Sequence, residues 1–248
     1  MHPLVFSAAF SLVQIFGTAT TTNATECRVD QFENVPFTIC EVGADEDLRL
    51  FLAEDGVPYG NFRAVNRALA REGRELGFAM NAGMYHRDRS PVGLFIADGR
   101  QEADLVTAEG PGNFGMLPNG VFCWGDGRFQ VIESRRFQEN GATCRYATQS
   151  GPMLVINGKL HPRFIPDSDS LYIRNGVGVP DDQSRAVFAI SDRVVNFDLF
   201  ARFFRDRLGL NNALYFDGKI SRLYAPGLGR HDGGLMMGPI IGTAVAKE

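Results

Sequence analysis

Five short stretches place polar and charged side chains beside glycine or proline, where a backbone can come close to a bound molecule. "MNAGMY" brings Asn81 and Tyr85, with His86 next, and "GNFGMLPNGVF" brings Asn113 and Asn119. "ATQSGP" sets Thr148, Gln149 and Ser150 in a row ahead of an apolar run, and "RNGVG" joins Arg174 to Asn175. "ALYFDGKIS" carries Asp217, Lys219 and Ser221. These residue types suit an anionic ligand. A guanidinium such as Arg174 can grip carboxylate or phosphate through two parallel hydrogen bonds. A carboxylate such as Asp217 can activate water or attack as a nucleophile. Taken singly, each stretch also reads as ordinary turn grammar: Asn before Gly is a turn residue, and Asp217-Gly218 is a hairpin turn.

The familiar catalytic signatures are missing. The sequence has no G-x-S-x-G, no H-E-x-x-H and no Walker A loop. Gly110-Pro111-Gly112-Asn113-Phe114-Gly115 matches G-x-G-x-x-G literally, but "MLPNG" follows where a dinucleotide fold needs a helix. His86, His161 and His231 are too scattered to propose a metal set, so each is expected to be solvated or structurally hydrogen-bonded. Neither a metal nor an organic cofactor is expected.

Short strands and tight turns must position these groups. Asp55-Gly56, Asp98-Gly99, Asp126-Gly127, Asn157-Gly158 and Asp217-Gly218 are turn dipeptides tolerant of positive φ. Around them lie β-prone segments: "LRLFLA", "VGLFIA", "VFCW", "RFQVI", "MLVI", "AVFAI" and "ALYF". Two segments follow a helical period instead. After Asn61, Phe62, Val65 and Leu69 share a face and Gly73 ends the run. After Asn196, a candidate N-cap, Phe197, Phe200, Phe204 and Leu208 do the same, with Arg205 and Arg207 in the last turn and Gly209 beyond. With no internal repeat or linker, the expectation is a single α+β domain: a mixed or antiparallel sheet rich in hairpins, with a few covering helices.

Bulk composition narrows the partners. The 248 residues are 44% hydrophobic, with a formal net charge of −4 and no long basic run, which argues against nucleic acid. The cations are 22 Arg and only 3 Lys, a bias that fits an anionic ligand and equally fits genomic composition. "PLVFSAAFSLVQIFGTAT" is uncharged and rich in small residues, so residues 1–25 are expected to be a signal peptide and residues 26–248 the working domain. That apolar run is short for a membrane span, and the expected location is periplasmic or secreted. The four cysteines contain no C-x-x-C; sequence neighbours pair most simply as Cys27–Cys40 and Cys123–Cys144, one of three connectivities. Each bridge would contribute roughly 3 kcal/mol.

Together the five stretches resemble the phosphodiester glycosidase family, whose mammalian member removes N-acetylglucosamine from a phosphodiester to uncover mannose 6-phosphate. The matching positions are Asn81-Ala82-Gly83, Gln149-Ser150-Gly151-Pro152, Arg174 with Gly178, and Asp217-Gly218 with Ser221, in family order between about residues 48 and 241. Two motifs depart from the family pattern: "DGKIS" holds Lys219 and Ile220 where glycines are common, and "RNGVG" differs after its Arg. The resemblance implies an exported hydrolase that cleaves the C1–O bond of a sugar 1-phosphodiester, releasing sugar and a phosphomonoester. Arg174 would hold the phosphate and Asp217 would be the catalytic carboxylate, kept ionised by Lys219. Asn81, Tyr85, Asn119, Thr148, Gln149, Ser150, Asn175, Lys219 and Ser221 would bind substrate. The polar triplet 148–150 would form a ligand-facing shelf. Asp88, Asp182, Asp192 and Asp232 are the candidates for a second carboxylate. The competing expectation is an exported binding or envelope-assembly protein that holds a phosphate-linked glycan without cleaving it. Cleavage at P–O would normally want a metal cluster, and the sequence shows none.

Overall fold

The computed structural model describes residues 25–247, so the signal peptide expected over residues 1–25 lies outside the described residues apart from Thr25. The chain begins with β1 (Glu26–Phe32), β2 (Val35–Gly43), β3 (Leu48–Phe51) and a small hairpin, β4 (Ala53–Glu54) with β5 (Val57–Pro58). Helix α1 (Phe62–Ala70) leads into β6 (Arg74–Asn81), β7 (Phe95–Ala97), β8 (Arg100–Ala103), β9 (Gly120–Gly125) and β10 (Arg128–Glu133). After α2 (Ser134–Asn140) come β11 (Tyr146–Ser150), β12 (Met153–Ile156), β13 (Lys159–Leu160), β14 (Asn175–Val179) and β15 (Arg185–Ser191). Helix α3 (Phe197–Arg202) widens into a π turn over Phe203–Arg207. Then follow β16 (Asn212–Asp217), β17 (Leu223–Ala225), β18 (Arg230–His231) and β19 (Ile240–Ala246).

Three sheets carry the fold, in the orders β1-β2-β15-β14-β16-β12-β13, β10-β9-β11-β7-β8 and β18-β17-β6-β19-β3. Every pairing among the described strands is antiparallel, which sharpens the mixed-or-antiparallel expectation. One apolar core joins all three: Phe188 and Leu214 from the first meet Phe122 from the second and Phe78 from the third. Phe188 packs on Phe78 at 5.0 Å and edge-on to Phe122 at 5.8 Å between ring centres. Alternation along β2 and β15 sends Ile39, Val187 and Ala189 to the opposite face, under Phe200, Phe203 and Phe204 of the α3 segment.

Both expected helices form, for the reasons read from sequence. The side chains of Asn61 and Asn196 accept from the N–H of Ala64 and Leu199. Phe62, Val65 and Leu69 are buried against β6 and β19, each contributing about 1.5–3 kcal/mol. Gly73 and Gly209 supply the positive φ beyond each helix. The disulfides Cys27–Cys40 and Cys123–Cys144 are formed, the first between directly opposed residues of β1 and β2.

Two elements differ from the reading of the sequence. Helix α2 has no periodic signal, because Phe137 is its sole buried large apolar residue. "RNGVG", grouped with the polar stretches beside glycine, runs into the central strand β14 (Asn175–Val179), buried throughout. Its glycines serve close packing: a Cβ on Gly176 would stand 2.4 Å from the Leu214 carbonyl oxygen.

Candidate active site

Three strands end side by side. Asn81 closes β6, Asn175 opens β14 and Asp217 closes β16. Both asparagines are fully buried and bind each other: Asn175 Nδ2 donates to Asn81 Oδ1 and to its backbone oxygen, each at 3.1 Å. Asn175 Oδ1 accepts from the Asp217 N–H at 3.2 Å and from the Ser221 hydroxyl at 3.3 Å. Asn81 Oδ1 accepts from the Arg222 N–H at 2.9 Å. This buried amide pair ties two sheets together beneath Asp217.

The register then sets the direction of Asp217. Asn175 stands opposite Asp217 while Gly176 stands opposite Tyr215, so Phe216 is an extra residue in β16. Such a bulge bends its strand and re-aims the next side chain along it. Ser150 steadies it, its hydroxyl donating to the Phe216 carbonyl at 3.0 Å.

Past the bulge, Asp217 turns back on its own loop. Its Oδ1 accepts from the N–H of Gly218 at 2.6 Å and of Lys219 at 3.0 Å. Burial raises its pKa above the ordinary carboxylate value, and this outweighs the backbone donors and the weaker pull of Lys219. Lys219 favours the ionised form, and desolvation is the larger effect. Asp217 lies in a cleft of about 550 Å³ whose walls include Tyr85, Asn113, Phe114, Tyr172, Tyr215, Lys219 and Ile220. Burial, then the charge on Asp217, raises the Tyr85 phenol as well. A larger groove of about 680 Å³, between α1 and the segments at Tyr224 and His231–Gly234, contains one expected residue, the second-carboxylate candidate Asp232, and none of the expected substrate-binding residues. The chemistry therefore points to the smaller cleft.

Arg174 is close to the site yet has no exposed surface. Its Nε donates to the Val195 carbonyl at 2.9 Å, its Nη2 to the Ser170 carbonyl at 2.8 Å, and its Nη1 to the Tyr215 hydroxyl at 3.3 Å. The guanidinium lies 3.6 Å from the centre of the Phe197 ring. It makes no ion pair with any carboxylate among the described residues. Burial lowers its pKa. The expected bidentate grip on a ligand is replaced here by a grip on Tyr215 and two backbone carbonyls, one layer behind the cleft wall.

The polar triplet is corrected in the same way. Thr148, Gln149 and Ser150 are all buried, and their side chains bind the chain itself. Thr148 donates to the Ala82 carbonyl at 2.6 Å. Gln149 accepts from the N–H of Leu94 and Val106 and donates to the Val106 carbonyl and the Ser134 hydroxyl. Asn119 is likewise buried and donates to the Phe114 carbonyl. Buried amides and hydroxyls must find partners, and here the partners are loops converging on the cleft. Asn81, Asn175 and Ser221 share this supporting placement. Of the expected residues, Tyr85, Asp217 and Lys219 line the cleft.

Two motif glycines have steric reasons. A Cβ on Gly218 would stand 2.2 Å from the Tyr215 hydroxyl, and Gly83 has φ of 137° with the Thr148 hydroxyl 3.2 Å from its would-be Cβ. The sequence reading missed Tyr172 and Tyr215, and left Asn113 without a role. Spacing gave no signal for them, because they reach the cleft from three separate segments. Asp88, Asp182, Asp192 and Asp232 do not line the cleft. Asp88 and Asp182 bind neighbouring serines, and Asp192 and Asp232 pair with Arg230. Asp217 is the one carboxylate among the cleft-lining residues.

Comparison with known proteins places this geometry in context. A family model described as phosphodiester glycosidase matches residues 74–234, which include every motif residue named above. The uncharacterized protein YigE of Escherichia coli (strain K12) is 36% identical over 173 residues, 70% of this chain and 67% of that protein. The catalytic domain of zebrafish N-acetylglucosamine-1-phosphodiester alpha-N-acetylglucosaminidase, solved auto-inhibited by pro-peptide, shares the fold. It aligns with a TM-score of 0.60 at 12% identity, over 90% of this chain and 84% of that one.

Proposed function

The chain belongs to the phosphodiester glycosidase family, and we propose that it hydrolyses the glycosidic C1–O bond of a sugar 1-phosphodiester, with Asp217 as the catalytic carboxylate. The observation that carries this reading is Asp217 itself: a lone carboxylate on the cleft wall, aimed by a bulge and fixed from below by the Asn81–Asn175 pair. Water adds to C1 and the C1–O bond electrons leave with the phosphate, giving free sugar and a phosphomonoester. That leaving group is far better than a sugar alcohol, so a second carboxyl acting as general acid matters less. One carboxylate in the cleft then suffices, activating water or attacking C1 itself.

The surrounding cations suit the phosphate. Lys219 is exposed at the cleft, and Arg174 stands behind Tyr215. In this proposal Arg174 is a positioning residue: it donates to the Tyr215 oxygen and leaves the phenolic proton free to bind phosphate. Two disulfides support an oxidising, extracytoplasmic location. Among the described residues no helix is long and apolar enough to cross a membrane. The zebrafish protein's name makes an N-acetylglucosamine 1-phosphodiester the first substrate to try.

The test uses the disulfide-intact protein with methyl phospho-N-acetylglucosamine, measuring free sugar and sugar 1-phosphate separately, with Asp217→Asn and Arg174→Met alongside. Free sugar is expected, lost in Asp217→Asn and reduced in Arg174→Met. Sugar 1-phosphate would mean P–O cleavage and would overturn the mechanism, as would full turnover by Asp217→Asn.

A further inference from the structure

Several large apolar side chains exposed to water lie on segments joined to the cleft wall. Nine are exposed among the described residues; of these, Tyr172 lines the cleft, Leu171 precedes it in the chain, Val194 precedes its backbone partner Val195, and Leu235 and Met236 lie on a segment bonded to the wall residue Tyr85. On one side, Tyr172 forms part of the wall and is bonded through its backbone to Val195, which brings Leu171 and Val194 alongside. On the other, the Met236 carbonyl accepts from the hydroxyl of Tyr85, another wall residue, at 3.1 Å. Leu235 is 71% exposed and Ile165 65%, so these are uncovered side chains, not the edges of a core. The walls continue the same character inward through Met84, Val92, Phe114 and Ile220. Exposed apolar side chains on the segments beside a concave site mark a place where something apolar binds.

Charge on the same surface narrows the occupant. Lys219 lines the cleft, Arg89 lies over the Tyr85 ring, Arg222 donates to the Leu235 carbonyl and Arg193 precedes Val194, and none makes an ion pair with a carboxylate among the described residues. Asp167 and Asp169 lie on the loop with Ile165, and Asp88 and Asp192 directly precede Arg89 and Arg193, where they bind Ser90 and Arg230 respectively. Cations beside an exposed apolar strip match a ligand with an anionic head and an apolar tail. A flat protein partner could cover the strip but could not enter the 550 Å³ cleft that continues it.

Resting on the hydrolase reading above, we propose that the aglycone of the phosphodiester is a hydrophobic chain: the substrate is a sugar joined through phosphate to a lipid-like alcohol. The sugar occupies the cleft beside Asp217, the phosphate meets Lys219, and the chain leaves across Leu171 and Tyr172 or Leu235 and Met236.

A homologous series of N-acetylglucosamine 1-(alkyl phosphates), methyl to octyl and below the concentration of micelle formation, tests this. Each methylene held half out of water should raise kcat/KM about twofold, so hexyl should exceed methyl by roughly 30-fold. The triple variant Leu171→Ser, Leu235→Ser, Met236→Ser should bring that ratio within about threefold while leaving the methyl substrate unchanged. Turnover that ignores chain length would overturn the lipid aglycone and leave the hydrolase reading standing. If no member is turned over, the hydrolase reading fails, and calorimetric binding of the same series to the Asp217→Asn protein still decides. Affinity rising with chain length and lost in the triple variant supports the apolar rim, and affinity independent of chain length overturns it.

Discussion

Truncating Asn175 to alanine should separate the support of the site from its chemistry. Its Oδ1 accepts from the Asp217 N–H and from Asn81 Nδ2, each at 3.2 Å, and neither donor makes another side-chain hydrogen bond. Ser221 keeps the carbonyls of Ile173 and Asp217, and Asn81 Oδ1 keeps the Arg222 N–H, so two donors lose their acceptor. A buried donor left without a partner costs about 1–3 kcal/mol, and water entering the vacated space recovers part of it. The expected loss is about 3 kcal/mol. For a domain of this size that lowers Tm by roughly 6–12 °C, read by calorimetry with the disulfides intact. Activity should fall further than stability, because the Asp217 backbone is held by this bond and a misplacement near 1 Å can cost about 100-fold in rate. Asn175→Asp keeps the acceptor and should retain more activity than Asn175→Ala. The reasoning is refuted if Asn175→Ala melts within 2 °C of the parent and keeps kcat/KM within threefold.

Two further predictions concern the carboxylate and its turn. Burial raises the folded-state pKa of Asp217, so this group's favourable contribution is full below its unfolded pKa and is lost as pH rises through the folded one. Asp217→Asn should therefore gain stability relative to the parent as pH climbs from the acid range to neutral, and a constant Tm difference across that window would contradict the assignment. Gly218→Ala sets a methyl 2.2 Å from the Tyr215 hydroxyl on a half-buried loop. Turnover should drop at least tenfold with Tm lowered by only a few degrees, and equal activity would show that Tyr215 and the 217–219 turn need not keep their present spacing.

How far the site was legible depends on what each residue does with its polarity. Helices α1 and α3 were readable because cap, apolar period and terminal glycine agree in each. Helix α2 carries one buried phenylalanine and offered no such agreement. The site motifs were readable as a set, because amides, hydroxyls and a carboxylate beside Gly and Pro are costly to place without purpose. Their direction was not readable. Gln149 reaching into a cleft and Gln149 binding Leu94, Val106 and Ser134 have the same sequence. The cleft walls were the least visible part, since Tyr172, Tyr215 and Asn113 become neighbours only when three segments meet.

Under the proposed C1–O cleavage, the charges around Tyr215 give a reason for a buried arginine in place of an exposed one. The Tyr215 hydroxyl lies in the fields of both Arg174 and Asp217, which act on it in opposite senses. With Asp217 ionised, Arg174 and Lys219 bring two positive charges against its one negative, a net positive charge that the proposed phosphodiester monoanion would balance. In that proposed reaction the leaving phosphate gains a second negative charge as C1–O breaks, and the balance would tip toward a stronger hold at the moment of cleavage. Exposed cations would spread that effect into solvent. Arg174, fixed by two carbonyls and the Phe197 ring, cannot reorient and acts from a poorly solvated position, where its field is less screened. Its hydrogen bond to Tyr215 passes that field to the cleft wall without exposing the guanidinium to water. The placement of Arg174 one layer back is thus consistent with stabilising charge that develops during the reaction more than charge already present on the substrate.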